Sequence, residues 1–144
     1  MKTLSIFFLL IFLSTASLIA QTITIRLVLP ENYKLNDGAP QNLVISNWDE
    51  SMGYPSIGFS AMDLENLIKN EKGEYSHNFS AADVIDNSII MKSSVPLKDD
   101  FLITLKIVIC DDNNLCLFIN HSGKFSLDKL ADDIWDMKIS LPDS

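Results

Sequence analysis

The chain has 144 residues, of which 47% are hydrophobic and 21% charged, and its formal net charge is −8. That hydrophobic share belongs to a folding chain of about one domain rather than to a disordered one, and nineteen acids against eleven bases argue against the clustered positive charge that nucleic acid requires. Two cysteines and two histidines cannot build the usual zinc-ribbon or zinc-finger patterns.

Residues 1–20 read as a secretory signal peptide. Lys2 supplies the basic start, Leu4 to Leu13 (LSIFFLLIFL) a charge-free apolar core, and Ser14, Ala16 and Ala20 the small residues that cleavage needs. A transmembrane anchor needs about 20 apolar residues, and this run is shorter and polar-ended. Taking Gln21 as the start, residues 21–144 carry ten bases against nineteen acids. They contain no second long apolar run, so no membrane span is expected after cleavage. The expected location is periplasmic or secreted, an oxidising compartment in which paired cysteines meet.

Beyond the leader the chain reads mainly as strands. Ile23, Ile25, Leu27 and Leu29 alternate with Thr22, Thr24, Arg26 and Val28, the period of a half-buried strand, and Pro30 ends it. Asn36-Asp37-Gly38 is a turn signal, and QNLVISN (41–47) is a second strand with Leu43 and Ile45 on one face. Ser60 with Asp63 has the form of a capping box, and Leu64, Leu67 and Ile68 follow at helical spacing, so a short helix is expected there. Residues 71–87 show no clear period and read as connection, after which SIIMK (88–92) is a short strand.

Phe101 to Cys110 is the strongest strand, with Phe101, Ile103, Leu105, Ile107 and Ile109 on one face. A turn-rich Asp111-Asp112-Asn113-Asn114 follows, and a strand resumes over Leu115 to Asn120. Trp135, Met137, Ile139 and Leu141 alternate once more and stop at Pro142. Short strands separated by turn signals point to a mainly β fold, an immunoglobulin-like antiparallel β-sandwich with one short helix.

With a three-residue loop at Asp112–Asn114, Asp111 faces Leu115 and Cys110 faces Cys116, and Asn114 takes the left-handed position. Directly opposed α-carbons lie about 4.5–5.5 Å apart, near the short end of the disulfide range, so a bridge is geometrically feasible. Closing a loop this short constrains the unfolded chain by only about 2.4 kcal/mol. Two readings stand side by side: a hairpin staple in an exported domain, and a dithiol that exchanges with partners. Asp111 and Asp112 beside Cys110 disfavour a thiolate, and no Lys, Arg or His is near in sequence.

Residues 25–46 (IRLVLPENYKLNDGAPQNLVIS) and 101–118 (FLITLKIVICDDNNLCLF) resemble the N-terminal periplasmic domain of the DsbD thiol:disulfide interchange family. The likeness is closer still to the related C-terminal domain of NHL-repeat proteins that carry a thioredoxin-like domain. It rests on LPENYKLNDGAP and on a hydrophobic strand ending in Cys, with five residues between it and a second Cys. The resemblance implies an immunoglobulin-like sandwich in which Cys110 and Cys116 are a redox-active pair that passes electrons between thioredoxin-like or other exported oxidoreductase partners. Leu117 and Phe118 follow Cys116 where that family has an aromatic residue and prolines, and Tyr54 and Phe59 are the candidates for its aromatic cap. Exposure at the hairpin makes Cys116 the expected target of an attacking thiolate. No cofactor and no metal are implied.

Other constellations are weak. His77 and His121 share no ligand motif, and Asp111, Asp112, Asp132, Asp133 and Asp136 lack calcium-loop spacing. Besides the exchange module, a non-enzymatic binding or adaptor sandwich with a structural hairpin disulfide stays open. A secreted hydrolase or carbohydrate binder would need convergent carboxylates.

Overall fold

The structure is a computed structural model that describes residues 21–58, 65–93, 97, 100–130 and 132–142. In chain order its strands are β1 (Gln21–Val28), β2 (Tyr33–Leu35), β3 (Gln41–Ser46), β4 (Ser56–Gly58), β5 (Glu65–Asn66), β6 (Ile68–Lys69), β7 (Tyr75–Phe79), β8 (Ser88–Ser93), β9 (Phe101–Asp111), β10 (Cys116–Phe125) and β11 (Ile134–Lys138). The helical pieces among the described residues are three-residue 3-10 turns, such as Glu50–Met52 and Ala81–Asp83.

The strands form two sheets packed face to face, a mainly β sandwich. One has the order β11-β1-β8-β4-β5; the other has β10-β9-β3-β7-β6, with β2 also paired to β9. Alternation places the core. Ile23, Ile25 and Leu27 of β1, Ile89 and Met91 of β8, and Met137 of β11 face Leu43 and Ile45 of β3 and Ile103, Leu105 and Ile107 of β9 in one buried cluster. Each of these side chains is a fully buried apolar group, contributing about 1.5–3 kcal/mol of transfer free energy before the ordering cost is subtracted.

The two sides of the sandwich close differently. On one, the chain crosses between the sheets at buried Leu67, whose amide bonds to the Pro55 carbonyl, so that β5 and β6 edge opposite sheets. On the other, β10 and β11 come together at Gly123. A Cβ at Gly123 would lie 2.7 Å from Met137 Cε and 3.2 Å from the Trp135 ring, so only hydrogen fits without a neighbour moving.

Three expectations change. The sandwich is not wholly antiparallel: β11 runs parallel to β1, from Thr24 opposite Ile134 to Val28 opposite Lys138. β8 already occupies the other side of β1, and the chain arrives beside the start of β1, where the Thr24 amide bonds to the Asp133 carbonyl. A strand entering from that end can only run parallel.

The short helix is absent from its described part. Residues 65–66 and 68–69 are strands, Leu67 is buried, and Ile68 is 76% exposed, so the two apolar residues do not share a face. Ser60, Asp63 and Leu64 lie outside the described residues, as do the leader 1–20 and Phe59. The third change is at 71–87, which contains β7: its backbone completes the free side of β3, with Tyr75 opposite Ile45 and Phe79 opposite Gln41.

Candidate functional site

β9 and β10 form a long hairpin whose register runs from Phe101 opposite Phe125 to Cys110 opposite Cys116. The loop is the three-residue one that the spacing predicts. The Asp111 amide bonds to the Leu115 carbonyl at 3.0 Å, the Asn114 amide to the Asp111 carbonyl at 3.0 Å, and Asn114 has φ 61°. Asp111 Oδ1 accepts from the amides of Asn113 (2.9 Å) and Leu115 (2.8 Å). Its carboxylate is therefore turned into the loop and serves backbone donors that the turn leaves over.

Cys110 and Cys116 form a disulfide with α-carbons 4.0 Å apart. Even-numbered residues of β9 point away from the core, so the bridge lies on the outer face of its sheet. The two sulfurs nevertheless differ in environment. Cys116 stands on the edge strand and is exposed, whereas Cys110 is only 3% exposed. Leu115 (62% exposed) and Phe118 (68% exposed) flank Cys116 in sequence, and Phe118 shares its outward face.

The segment that shelters Cys110 is 33–41. β2 pairs with β9 just beyond the stretch of β9 paired with β3, and residues 36–40 bulge out between the two short strands. The bulge interrupts the ladder at Val108, and Gln41 repairs it. Its fully buried side chain accepts the Val108 amide at 2.8 Å and donates to the carbonyls of Asn36 and Ala39 at 3.1 Å each. Asn36 in turn donates its own backbone amide to the Val108 carbonyl at 2.9 Å.

The Asn36 side chain reaches the bridge. Its Oδ1 accepts the Gly38 amide at 2.8 Å, and its Nδ2 lies 3.0 Å from Cys110 Sγ and 3.6 Å from Cys116 Sγ. On the same side, β2 register sets Lys34 directly opposite Cys110, so an exposed base and the two cysteines form one row across three strands.

Sequence reasoning finds the two cysteines and their pairing but misses this flank. Lys34 is 76 positions from Cys110, and nothing in the local pattern of YKL marks a strand. The one available signal was LPENYKLNDGAP itself, which carries both Lys34 and Asn36. Tyr54 is not a cap for the bridge. It packs edge-on to Tyr75 with ring centroids 6.3 Å apart, and Tyr75 pairs with Ile45, itself opposite Ile103. That is seven residues along β9 from Cys110, on the order of 23 Å at strand rise.

The remaining candidates are dispersed. His77 is on β7 and His121 on β10, while Asp111 and Asp112 are at the hairpin and Asp136 is on β11 of the other sheet. Among the described residues no group of three or more His, Cys, Asp or Glu converges on a metal-sized site. Again among the described residues, no helix is long and apolar enough to cross a membrane. No protein-family model and no curated protein matches this chain.

Proposed function

We propose that the chain is an exported thiol:disulfide exchange module in which Cys110 and Cys116 pass electrons between thioredoxin-like or other periplasmic or secreted oxidoreductases. The observation that carries this reading is the asymmetry of the bridge, an exposed sulfur on an edge strand joined to a sheltered one. Such a bond has one approachable side, and attack there leaves the second sulfur inside the protein. Leu115 and Phe118 give the apolar contact that a protein partner needs around the exposed sulfur.

The hairpin supports the same reading. Its tip is closed by four hydrogen bonds and its ladder runs through ten residue pairs, so opening the bridge leaves the turn intact. A bridge there adds to a turn already closed by these bonds, and its short loop makes it a modest staple of about 2.4 kcal/mol. The resemblance of LPENYKLNDGAP and of the cysteine spacing to the DsbD and NHL-repeat-associated domains points the same way.

The exchange is balanced. A partner thiolate attacks Cys116 Sγ, the Cys110–Cys116 bond breaks, and Cys110 leaves as a thiolate while the partner is held through a mixed disulfide. A second partner thiolate then attacks the partner sulfur of that bond and releases Cys116; the partner dithiol is oxidised by two electrons and the pair reduced.

Equilibration of the oxidised protein with glutathione measures the reduction potential, and a single-cysteine thioredoxin-like protein traps the mixed disulfide. A potential above about −300 mV with a trapped adduct at Cys116 is expected. A potential below that value with no adduct marks a structural bond and overturns the proposal.

A further inference from the structure

We propose that Asn36 is a catalytic residue of the exchange, whose side-chain amide donates a hydrogen bond to the negative charge that develops on Cys110 Sγ as it becomes the leaving thiolate. The inference rests on the exchange reading above and names a residue that acts within it.

The side-chain amide is oriented by its own acceptor. Oδ1 is occupied by the Gly38 amide at 2.8 Å, which leaves the NH₂ group to face the sulfurs. The reverse rotamer would set NH₂ against the Gly38 N–H and oxygen lone pairs against sulfur lone pairs, two repulsions at once. The backbone is pinned as well, its amide on the Val108 carbonyl and its carbonyl on buried Gln41. With its backbone fixed and its Oδ1 held by Gly38, the side chain has an anchor that does not depend on the bridge.

The distances select one sulfur. Nδ2 is 3.0 Å from Cys110 Sγ and 3.6 Å from Cys116 Sγ, so the donor favours the sulfur that is sheltered, which is the one released when Cys116 is attacked. A disulfide sulfur is a weak acceptor and a thiolate a strong one. The hydrogen bond therefore strengthens as charge develops, and a gain confined to that moment lowers a barrier. A thiolate released into a site that excludes water would otherwise meet a desolvation cost, which holds the thiol protonated and the bridge shut.

The charged groups around Cys110 lie on β2, the bulge, β9 and the hairpin loop, and the adjoining part of β10, residues 116–120, carries none. Lys34 is opposite on β2, Asp37 follows Asn36 in the bulge, Lys106 and Asp111 are on β9, and Asp112 is in the hairpin loop. Lys34 favours a thiolate by charge, and the acids oppose it. Asn36 is neutral, so its contribution persists at high salt, where charge effects are screened.

The test uses the full chain, oxidised, with glutathione as the thiolate source, so that no partner has to be known. Asn36→Asp keeps an oxygen for the Gly38 amide and removes the donor; Asn36→Ala removes both. In a Cys116→Ser background, the pH dependence of iodoacetamide alkylation reads the Cys110 thiol directly. Asn36→Ala is expected to slow reduction by glutathione about tenfold at low and at high salt and to move the alkylation midpoint up by about one pH unit. Asn36→Asp, whose added charge also opposes the thiolate until salt screens it, is expected to do so by at least as much and most strongly at low salt.

Asn36→Asp that matches the wild type within about twofold in both measurements, with only Asn36→Ala altered, assigns the residue to the turn alone and overturns the inference. Should Asn36→Asp unfold the bulge, Asn36→Ala with unchanged alkylation has the same consequence. A wild-type bridge that glutathione does not open while the protein stays folded overturns the exchange reading and this inference with it.

Discussion

The two ends of the β9–β10 hairpin are built from opposite materials. At the Phe101 end the rings of Phe101 and Phe125 stack at 4.5 Å, Trp48 meets Phe101 edge-on at 5.0 Å, and Trp135 meets Phe125 at 5.4 Å. Phe101 and Phe125 are essentially inaccessible to solvent, and the two sheets meet there. At the Cys110 end an amide, a lysine, a carboxylate and a disulfide are gathered, the apolar Leu115 and Phe118 are exposed rather than packed, and residues 36–40 bulge out between β2 and β3. Packing resists change at the first end, because a lost ring leaves a cavity that the surroundings only partly fill. At the second end, hydrogen bonds and one covalent bond do the holding.

The largest effect expected from that contrast is at Phe125. Phe125→Ala removes a ring that touches both Phe101 and Trp135 and should cost about 3–5 kcal/mol in urea unfolding. A cost no greater than that of losing the bridge would break the comparison, because the aromatic end would then be no firmer than the sulfur end.

Replacing both Cys110 and Cys116 by Ser sharpens it from the other side. The chain-entropy contribution of so short a loop is about 2.4 kcal/mol, so a loss of about 2 kcal/mol with cooperative unfolding retained is expected. Loss of cooperative unfolding would mean that the bridge, not the sandwich, holds this end together.

The smallest effect is on the outer surface of the other sheet. Arg26 holds Asp136 through two bonds, of 2.6 and 2.8 Å, that tie β1 to its parallel neighbour β11. The guanidinium, by hydrogen bond and then by charge, keeps the Asp136 carboxyl below its ordinary range. A carboxyl depressed in the folded state contributes above its unfolded value, and the contribution disappears as pH falls through the folded one. Urea midpoints measured from neutral pH downward should therefore fall less steeply in Asp136→Asn than in the wild type below the ordinary aspartate range, while the neutral-pH midpoint changes little because both partners are exposed. Identical acid limbs would show that this pair does not hold β11 in place.

Long strands were legible because alternation over five or more residues records which face meets the core. β1, β3, β8 and β9 follow that pattern, and in β11 Met137 is buried as expected while Trp135 is only half-buried. β10 extends to Phe125, beyond the expected end at Asn120, because its smaller residues Ser122 and Gly123 weaken the apolar signal. Among the strands of two to five residues β11 was the exception, and β2 and β4 to β7 were not legible. They exist because a longer neighbour offers unpaired backbone groups, and that demand belongs to the partner strand rather than to their own residues.

By itself the sequence determined the register that sets the two cysteines opposite each other. A hairpin register depends on the turn that joins its strands, and Asp111 to Asn114 specify that turn locally through a carboxylate cap and a left-handed asparagine. The tertiary structure alone decided what surrounds the sulfurs and how the sheet closes at β11. Asn36 and Cys110 are separated by 74 positions, and they meet only because β2 fills the part of β9 that β3 leaves free. Such a contact depends on strand order and on a buried glutamine bridging an interrupted ladder, neither of which leaves a periodic trace in the chain.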